Sequence, residues 1–295
     1  MLHKKRAGER WKNLLYLLPF LMMITVFILI PVMEIFYGSL FAIKLNGTRQ
    51  YVGLKNYAAA VSGSGFWQIG KNTLVWTAAT VLLKNILGLL LALLMGQKFK
   101  GNKGFQIVSL LPWATPWMIS SILFKWFFDG LYGYLNSFLY TTGIIARPID
   151  WLGSQGFALW GVIIANVWTA IPFCGFIYLS VLSSIPRSLY EAAEMDGAEP
   201  LQKFRHITCP LLMPTVQLVG VLTTIWGINS FDMIYTMTDG GPSNASETLT
   251  TYIYRLGFRL NNTGQSYALS VLVFIAMTAL VLLYIKMGRS NEEHG

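Results

Sequence analysis

Long apolar runs alternate with shorter polar segments along most of this chain. Six of these runs are each about 20 residues long, which is the length that one helix needs to cross the hydrocarbon core of a bilayer. They predict an all-α membrane protein with six transmembrane helices. The predicted spans are Leu14–Met33, Thr73–Met95, Phe105–Phe124, Phe157–Leu182, Leu211–Phe231 and Tyr267–Ile285.

The longest polar helical pattern, Pro186–Pro210, lies between the fourth and fifth runs. A proline at its start suits the first turn of a helix, and Ser188 with Glu191 has the spacing of a capping box. Asp196 and Gly197 then predict a turn, because glycine adopts a positive φ without a Cβ clash. The pattern therefore predicts a short polar helix that ends in a tight turn outside the membrane.

A second short helix is predicted to begin near Pro200 and to stop before Pro210. A proline ring restricts the residue before it and clashes with the preceding helical turn, so this helix is not expected to run into the fifth span. The whole segment is then a polar helix-turn-helix between two spans. Such a segment is suited to docking by a soluble protein.

Composition argues against a soluble domain, since the 295 residues are 54% hydrophobic and only 12% charged, against about 25% in soluble domains. The net charge of +9 does not indicate nucleic-acid binding, because the basic residues are scattered over short loops and form no basic face. Cys174 and Cys209 lie far apart in sequence, which excludes a disulfide framework. The histidines lack the spacing of metal ligands, so no metal site is expected.

Loop charges predict the orientation in the membrane. An even number of spans places both termini on one side, and this side, which includes Pro186–Pro210, carries thirteen Lys or Arg, clearly more than the other side. Both termini and the polar segment are therefore predicted to be cytoplasmic. The first run exceeds the apolar core of about 7–15 residues in a signal peptide, so we expect a retained helix after a basic arm.

The polar segment resembles the EAA loop of permease subunits in bacterial ABC importers, and we call Pro186–Pro210 the EAA loop. The match consists of Glu191-Ala192-Ala193, Gly197 after three intervening residues, Ile207 and Pro210. The chain departs from the family at Cys209, where leucine is usual, which exchanges one apolar residue for another. The resemblance implies that this loop docks on an ATPase subunit. The implied coupling residues are Glu191, Ala192, Ala193, Asp196, Gly197, Ile207 and Pro210.

Outer segments resemble the carbohydrate-uptake members of this family. Val52–Tyr57 is similar to the first external loop of sugar permeases, and Thr238–Pro242 to a Gly-Gly-Pro turn that aromatic residues follow. The chain looks like the larger maltose-type permease subunit without its extra amino-terminal helices. The resemblance implies a heterodimer with a second homologous permease, two ATP-binding subunits, an extracytoplasmic solute-binding protein, a sugar or related substrate, and a bacterial inner membrane.

The expected organisation follows from these spans and loops. A basic cytoplasmic arm occupies residues 1–12, the first transmembrane helix 13–35 and an external loop 36–71. The core permease domain, with the EAA loop, occupies 72–286, and a cytoplasmic tail 287–295.

No nucleotide site is expected in this chain. Gly65–Lys71 has most of the phosphate-loop spacing, but Asn72 stands where Ser or Thr must hold magnesium, and no strand is predicted before it. The chain is therefore expected to bind no cofactor and to be no enzyme itself. ATP and magnesium would bind to the partner ATPase.

The helices that flank the EAA loop are the predicted substrate path. A sugar needs polar groups for its hydroxyls and aromatic faces for its C–H surfaces, and in maltose-type permeases the sugar contacts fall on these two helices. The predicted path residues are Asn166, Trp168, Ala170, Thr223, Trp226, Gly227 and Ser230. The alternative is that Asn166 and Ser230 only hydrogen-bond neighbouring helices and that the tryptophans fill the bundle.

Lys84 lies midway along the second span, where a lysine costs about 2.5–3.5 kcal/mol. It is predicted to face the path and meet an anionic substrate, unless it pairs in the heterodimer interface or snorkels. An ion-coupled secondary transporter is the alternative function, but it needs carboxylates within the spans, and the span centres have none. An intramembrane enzyme is disfavoured because no catalytic constellation lies in the apolar runs.

Overall fold

The computed structural model describes residues 16–44, 46–63 and 65–292. The predicted basic arm and the last three residues of the tail lie outside the described residues. The chain divides into two compact units, one formed by Met1–Gly63 with Ile253–Ile275 and the other by Ser64–Tyr252 with Ala276–Gly295.

Helices form most of the described chain. In order they are α1 (Tyr16–Gly38), α2 (Lys55–Ser62), α3 (Phe66–Met95), α4 (Asn102–Ala114), α5 (Trp117–Phe127), α6 (Tyr134–Thr141), α7 (Ala158–Ser184), α8 (Arg187–Met195), α9 (Pro200–Ile228), α10 (Asp232–Met237), α11 (Leu249–Tyr254) and α12 (Thr263–Glu292). Within the described residues α1, α3, α7, α9 and α12 are long and apolar enough to span a membrane, and α4 with α5 passes the same test as a bent pair. The prediction of a helical, multi-span protein is confirmed.

The first unit packs α1 against the start of α12. A Cβ at Gly38 would lie 2.6 Å from the Tyr267 ring, so only glycine allows this approach. Phe36 and Phe274 pack edge to face with ring centroids 5.8 Å apart, which is the geometry that aromatic quadrupoles favour.

The first unit also contains a small antiparallel hairpin of β1 (Phe41–Ile43) and β2 (Arg49–Tyr51), which the helical prediction missed. An Asn-Gly pair in its connection supplies the signal that could have found it, and Gly47 has a φ of +79°. Asn56 anchors the following helix, since its Nδ2 donates to the carbonyl oxygens of Ser39 and Phe41, both at 2.8 Å.

The second unit is built around α7, which is buried on most of its circumference. Helix α3 packs closely on it, and Gly88 on α3 allows this approach, since a Cβ there would overlap the side chain of Cys174 on α7. Small residues allow such close approach of helices in membranes, where packing replaces the hydrophobic effect. The indole Nε1 of Trp76 donates to the Gly227 carbonyl oxygen at 2.9 Å, which joins α3 to α9.

The predicted third span, Phe105–Phe124, is not one straight helix. It is broken between α4 and α5, which meet at an angle of 93°. The break lies at Thr115-Pro116, where Thr115 is extended with φ −80° and ψ 127°. A residue before proline is pushed out of the helical region, and the proline lacks the N–H that would continue the helix.

The prediction that the second EAA helix stops before Pro210 is wrong. α9 runs from Pro200 to Ile228 and includes a π-helical turn at Phe204–Thr208 directly before the proline. In this wider turn the Cys209 N–H donates to the Phe204 carbonyl oxygen, five residues back. The extra residue relieves the crowding of the proline ring against the preceding turn, so the helix continues.

The connection between α5 and α7 is ordered around Asn136. Its Nδ2 donates to the Gly130 and Ile149 carbonyl oxygens at 2.9 and 2.8 Å, and its Oδ1 accepts from the Trp151 indole at 2.9 Å. Asp129 caps the same turn, and two backbone N–H groups lower the pKa of its carboxyl group. The loop is therefore a fixed structural element beside the outer ends of the helices.

Candidate functional site

The turn of the EAA loop has the geometry that the sequence predicts. α8 ends at Met195, and Gly197 follows with a φ of +78°. Its N–H donates to the Glu194 carbonyl oxygen at 3.0 Å, and the Ala198 N–H to that of Ala193 at 2.8 Å. This left-handed glycine closes the first helix as glycine C-caps do.

The predicted capping box of Ser188 and Glu191 does not form. Pro186 occupies the N-cap position of α8, so Ser188 lies inside the helix, and no side chain caps this end. A reciprocal capping box closes the second helix instead, where the Glu199 N–H donates to Gln202 Oε1 at 2.8 Å. Capping therefore gives no structural role to the Glu191 carboxylate.

Two contacts hold the two helices of the EAA loop together. The hydroxyl groups of Tyr190 and Thr208 lie 2.9 Å apart, and the Lys203 ammonium donates to Glu194 Oε1 at 2.7 Å. The first contact is the stronger link, because Thr208 is buried, whereas ion pairs at the surface contribute about 0–1 kcal/mol. Sequence reasoning missed both contacts, since each joins residues on opposite sides of the turn.

The implied coupling residues lie on this hairpin, mostly on its open side. Glu191, Ala192, Asp196, Gly197 and Pro210 are exposed, while Ala193 and Ile207 are partly buried. Within the described chain no hydrogen bond or ion pair engages the Glu191 carboxylate. The EAA loop thus presents an exposed, unpaired carboxylate on α8, one turn before the helix ends.

Three tryptophans and several polar groups enclose a cavity of about 400 Å³ near the opposite end of α9, which we call the tryptophan cavity. It is lined by Trp113, Trp117, Trp226, Asn229, Ser230, Phe231 and Asp232. The volume lies in the range of about 300–1,000 Å³ for small-molecule sites. Indole faces beside a carboxylate, an amide and a hydroxyl form a lining that suits a sugar.

Of the predicted path residues, Trp226 and Ser230 line this cavity. Trp226 is 36% exposed and also packs on Phe173, with ring centroids 4.9 Å apart. Ser230 lies beyond α9, which ends at Ile228 because the Asn229 N–H tightens the last turn, so the predicted helical stripe does not extend to it. Its Oγ is buried and has no hydrogen-bond partner in the described chain.

Thr223 and Gly227 face α3 and not the tryptophan cavity. Thr223 Oγ1 accepts from Asn85 Nδ2 at 3.3 Å, and the same asparagine binds the hydroxyl of Tyr178 on α7. A Cβ at Gly227 would meet Thr80 Oγ1 at 3.4 Å. These contacts pack Thr223 and Gly227 against α3, and a path role for the two residues stays a prediction.

The predicted path residues on α7 lie outside the tryptophan cavity. Asn166 and Ala170 are buried at 1% and 5% exposure, and neither amide atom of Asn166 has a partner in the described chain. Trp168 is 38% exposed and packs edge to face on Phe124 at 5.3 Å. A path role for these three residues stays a prediction.

Sequence reasoning missed Trp113, Trp117 and Asp232 as lining residues of this cavity. The two tryptophans flank the break between α4 and α5, and Asp232 begins α10. Their signal in the sequence is the cluster Trp-Ala-Thr-Pro-Trp, where a proline interrupts an apolar run between two aromatic residues. Such a break positions both indoles at a bend that one straight span would not provide.

Lys84 is 1% exposed and lies beside Cys174 between α3 and α7. It does not line the tryptophan cavity, and within the described residues it makes no hydrogen bond or ion pair. Its predicted role toward an anionic substrate is not supported by this position.

Lys84→Met is expected to change the uptake of an acidic sugar and of a neutral sugar by the same factor, or to leave both unchanged. The buried lysine contacts neither ligand, and methionine removes a charge that costs about 2.5–3.5 kcal/mol within a span. Uptake of an acidic and a neutral sugar into vesicles that contain the reconstituted protein measures this. A selective loss of the acidic sugar contradicts the expectation and restores the path role.

Residues 84–288 match the family described as the binding-protein-dependent transport system inner membrane component. The chain is 35% identical over 291 residues to the trehalose/maltose transport system permease protein MalF of Thermococcus litoralis, which covers 98% of each chain. It is 32% identical over 287 residues to the sulfoquinovosyl glycerol transport system permease protein SmoG of Agrobacterium fabrum, which covers 97% of this chain and 92% of that one.

Solved structures resemble the chain over nearly its whole length. A bacterial ABC transporter involved in the import of the acidic polysaccharide alginate matches with a TM-score of 0.86 and 23% identity, over 98% of this chain and 99% of that chain. The same kind of transporter in complex with an alginate pentasaccharide-bound periplasmic protein gives 0.85 and 24% identity, over 97% and 96%. These likenesses establish the predicted type I importer permease fold.

Proposed function

We propose that this chain, which belongs to the family of binding-protein-dependent transport system inner membrane components, forms half of the path by which a sugar crosses a bacterial inner membrane. One observation carries the proposal: a single helix, α9, joins the EAA loop to the tryptophan cavity. From Pro200 to Trp226 such a helix spans about 40 Å at about 1.5 Å per residue. Movement of the loop by an ATPase is thereby transmitted to the groups that surround the sugar.

The substrate is a sugar because the tryptophan cavity suits one and the relatives are named for such substrates. MalF is named for trehalose and maltose, SmoG for sulfoquinovosyl glycerol, and the matched structures for alginate. Indoles of Trp113, Trp117 and Trp226 pack on C–H faces, while Asn229 and Asp232 bond hydroxyl groups. The carboxylate and amide oxygens of the lining accept hydrogen bonds, and a polar ligand such as a sugar donates them.

The proposed assembly has a second homologous permease, two ATP-binding subunits and an extracytoplasmic solute-binding protein. The periplasmic protein in the alginate transporter complex supports the last of these partners. ATP and magnesium bind in the ATPase subunits, and the EAA loop contacts them from the cytoplasm. The charge distribution over the loops supports cytoplasmic termini.

ATP-driven uptake by the reconstituted complex tests this function. Proteoliposomes that contain the two permeases and the ATPase are supplied with the solute-binding protein and labelled trehalose or sulfoquinovosyl glycerol. We expect at least one of the two sugars to be transported across the vesicle membrane. This transport requires ATP on the side of the membrane where the ATPase subunits lie. Accumulation that requires an ion gradient and persists without ATP would instead identify a secondary transporter.

Glu191→Gln is expected to lower stimulation of ATP hydrolysis by the solute-binding protein at least tenfold. The exposed carboxylate has no partner within the described chain, so its charge is available to a basic residue of the ATPase groove. Loss of a charge-assisted hydrogen bond of about 1.5–3 kcal/mol accounts for a factor of this size. The measurement is the ATPase rate with and without binding protein.

Glu194→Gln is the matched control for this prediction. Glu194 is on the same helix, and its side chain is 63% exposed, but it is paired with Lys203 inside the hairpin. Removal of that surface ion pair is expected to change stimulation less than twofold, since such pairs contribute about 0–1 kcal/mol. Equal effects of the two variants would show that general acidity of the loop, and not Glu191, matters.

A further inference from the structure

A second polar cavity lies at the same end of the second unit as the tryptophan cavity, and we call it the outer cavity. Its volume is about 390 Å³, and it is lined by Gln68, Lys71, Asn72, Val75, Gln155, Gly156, Leu159, Trp160, Ser243 and Ala245. It shares no lining residue with the tryptophan cavity. Amides, a hydroxyl group, an ammonium and one indole face make its composition that of a carbohydrate site.

The position of the outer cavity is fixed by α7. Gln155 to Trp160 lie where α7 begins, whereas the other end of α7 leads through Ile185 into the EAA loop. A helix of 27 residues separates the two ends by about 40 Å at about 1.5 Å per residue. The outer cavity therefore opens on the face opposite the EAA loop.

Buried hydrogen bonds hold the walls of the outer cavity in place. Asn72 is 4% exposed, and its Nδ2 donates to the carbonyl oxygens of Asn244 and Glu247 at 2.8 and 3.1 Å. Gln68 Nε2 donates to Asn72 Oδ1 at 2.9 Å, and the Leu249 N–H donates to Thr73 Oγ1 at 2.9 Å. The loop before α11 is thus fastened to the start of α3, and the cavity is formed in advance of any ligand.

Several polar groups of the outer cavity remain unused. Within the described chain no hydrogen bond or ion pair engages the side chains of Lys71, Gln155 or Ser243. Trp160 is 47% exposed, so part of its indole is accessible to a ligand. A Cβ at Gly156 would meet nothing within 4 Å, so there is open space beside this glycine. A rigid frame with free donors, free acceptors and one open indole face is preorganised for a polyhydroxylated ligand.

We propose that the outer cavity is a second sugar-binding site, which holds one or two sugar residues at the entrance before they reach the tryptophan cavity. The substrate class rests on the proposed function. Trp160 packs on the C–H face of a pyranose, Gln155 and Ser243 bond its hydroxyl groups, and Lys71 attracts a carboxylate or sulfonate substituent. Acidic sugars bind there more tightly than neutral ones.

Direct sugar binding to the whole importer in nanodiscs, without ATP or binding protein, tests the proposal. All complexes carry Trp226→Ala to weaken the tryptophan cavity, and saturation-transfer NMR measures the Kd for trehalose and for sulfoquinovosyl glycerol. Gln155→Ala combined with Trp160→Ala is expected to raise the Kd at least tenfold. Lys71→Gln is expected to raise it for sulfoquinovosyl glycerol only. Trp67→Ala is the control, because Trp67 is 82% exposed on the same end of α3 but outside the cavity.

Three results would overturn the outer site. The first is no saturation transfer to either sugar in the Trp226→Ala complex. The second is the same Kd in the Gln155/Trp160 and Trp67 variants. The third is that the Gln155/Trp160 variant loses affinity only for the solute-binding protein, which would identify a protein-docking surface. None of these results removes ATP-driven uptake by the unaltered complex. Failure of that uptake would overturn the proposed function separately.

Discussion

Replacing Gly197 with valine is expected to abolish ATP-driven uptake, with the subunit still inserted in the membrane. Gly197 has a φ of +78°, which costs an ordinary residue about 1–2 kcal/mol and a β-branched one more. The hydrogen bonds from the Gly197 and Ala198 N–H groups to α8 depend on this backbone conformation. Valine forces the turn to rearrange, so the two helices no longer enter the ATPase groove as one unit.

Gly197→Asn separates the backbone requirement from other effects of substitution. A Cβ at Gly197 would meet nothing within 4 Å, so any side chain fits in space and only the φ requirement discriminates. Asparagine tolerates the left-handed region, and we expect at least half of the wild-type uptake rate. Uptake in proteoliposomes and co-purification of the ATPase measure both variants. Wild-type uptake by the valine variant would contradict a role for this turn in coupling.

Local chemistry explains why the turn of the EAA loop could be predicted from sequence. A glycine after Asp196 at the end of a polar helix leaves few conformations, and the structure has the predicted one. The apolar spans are equally local, since length and hydropathy define them. These features need no knowledge of which residues meet across the fold.

Proline positions were harder to interpret, because the same residue acts differently in different surroundings. Thr115-Pro116 breaks the predicted third span, whereas Pro210 continues inside α9. A π-helical turn before Pro210 removes the clash of the proline ring with the preceding turn. No residue type in Phe204–Thr208 predicts that π-helical turn. The rule that proline interrupts a helix was therefore not applied at Pro116, where the break was missed, and was applied wrongly at Pro210, where the helix continues.

The composition of the tryptophan cavity could not be read from sequence for a topological reason. Trp113 and Trp117 come from one side of a bend, and Trp226 from the end of a distant helix. Which residues of two helices face each other depends on their rotation and crossing, which are set by contacts such as that of Gly88 with Cys174. Thr223, which helical spacing places on one stripe with Trp226, packs against α3 in the structure, and its path role stays a prediction.

Trp226→Ala is expected to lower sugar uptake at least tenfold while the permease still assembles with its ATPase subunits. The indole is 36% exposed on a wall of the tryptophan cavity, and a ligand that covers it gains about 1.5–3 kcal/mol from the buried aromatic surface. A loss of this size corresponds to about 10–150-fold in affinity. Trp67→Ala is the control, because Trp67 is 82% exposed and lines neither the tryptophan cavity nor the outer cavity. Uptake of labelled sugar and co-purification of the complex are measured for both variants. Equal loss of uptake in both variants, or loss of assembly in the Trp226 variant, would assign Trp226 to packing, for which its contact with Phe173 already gives it a partner.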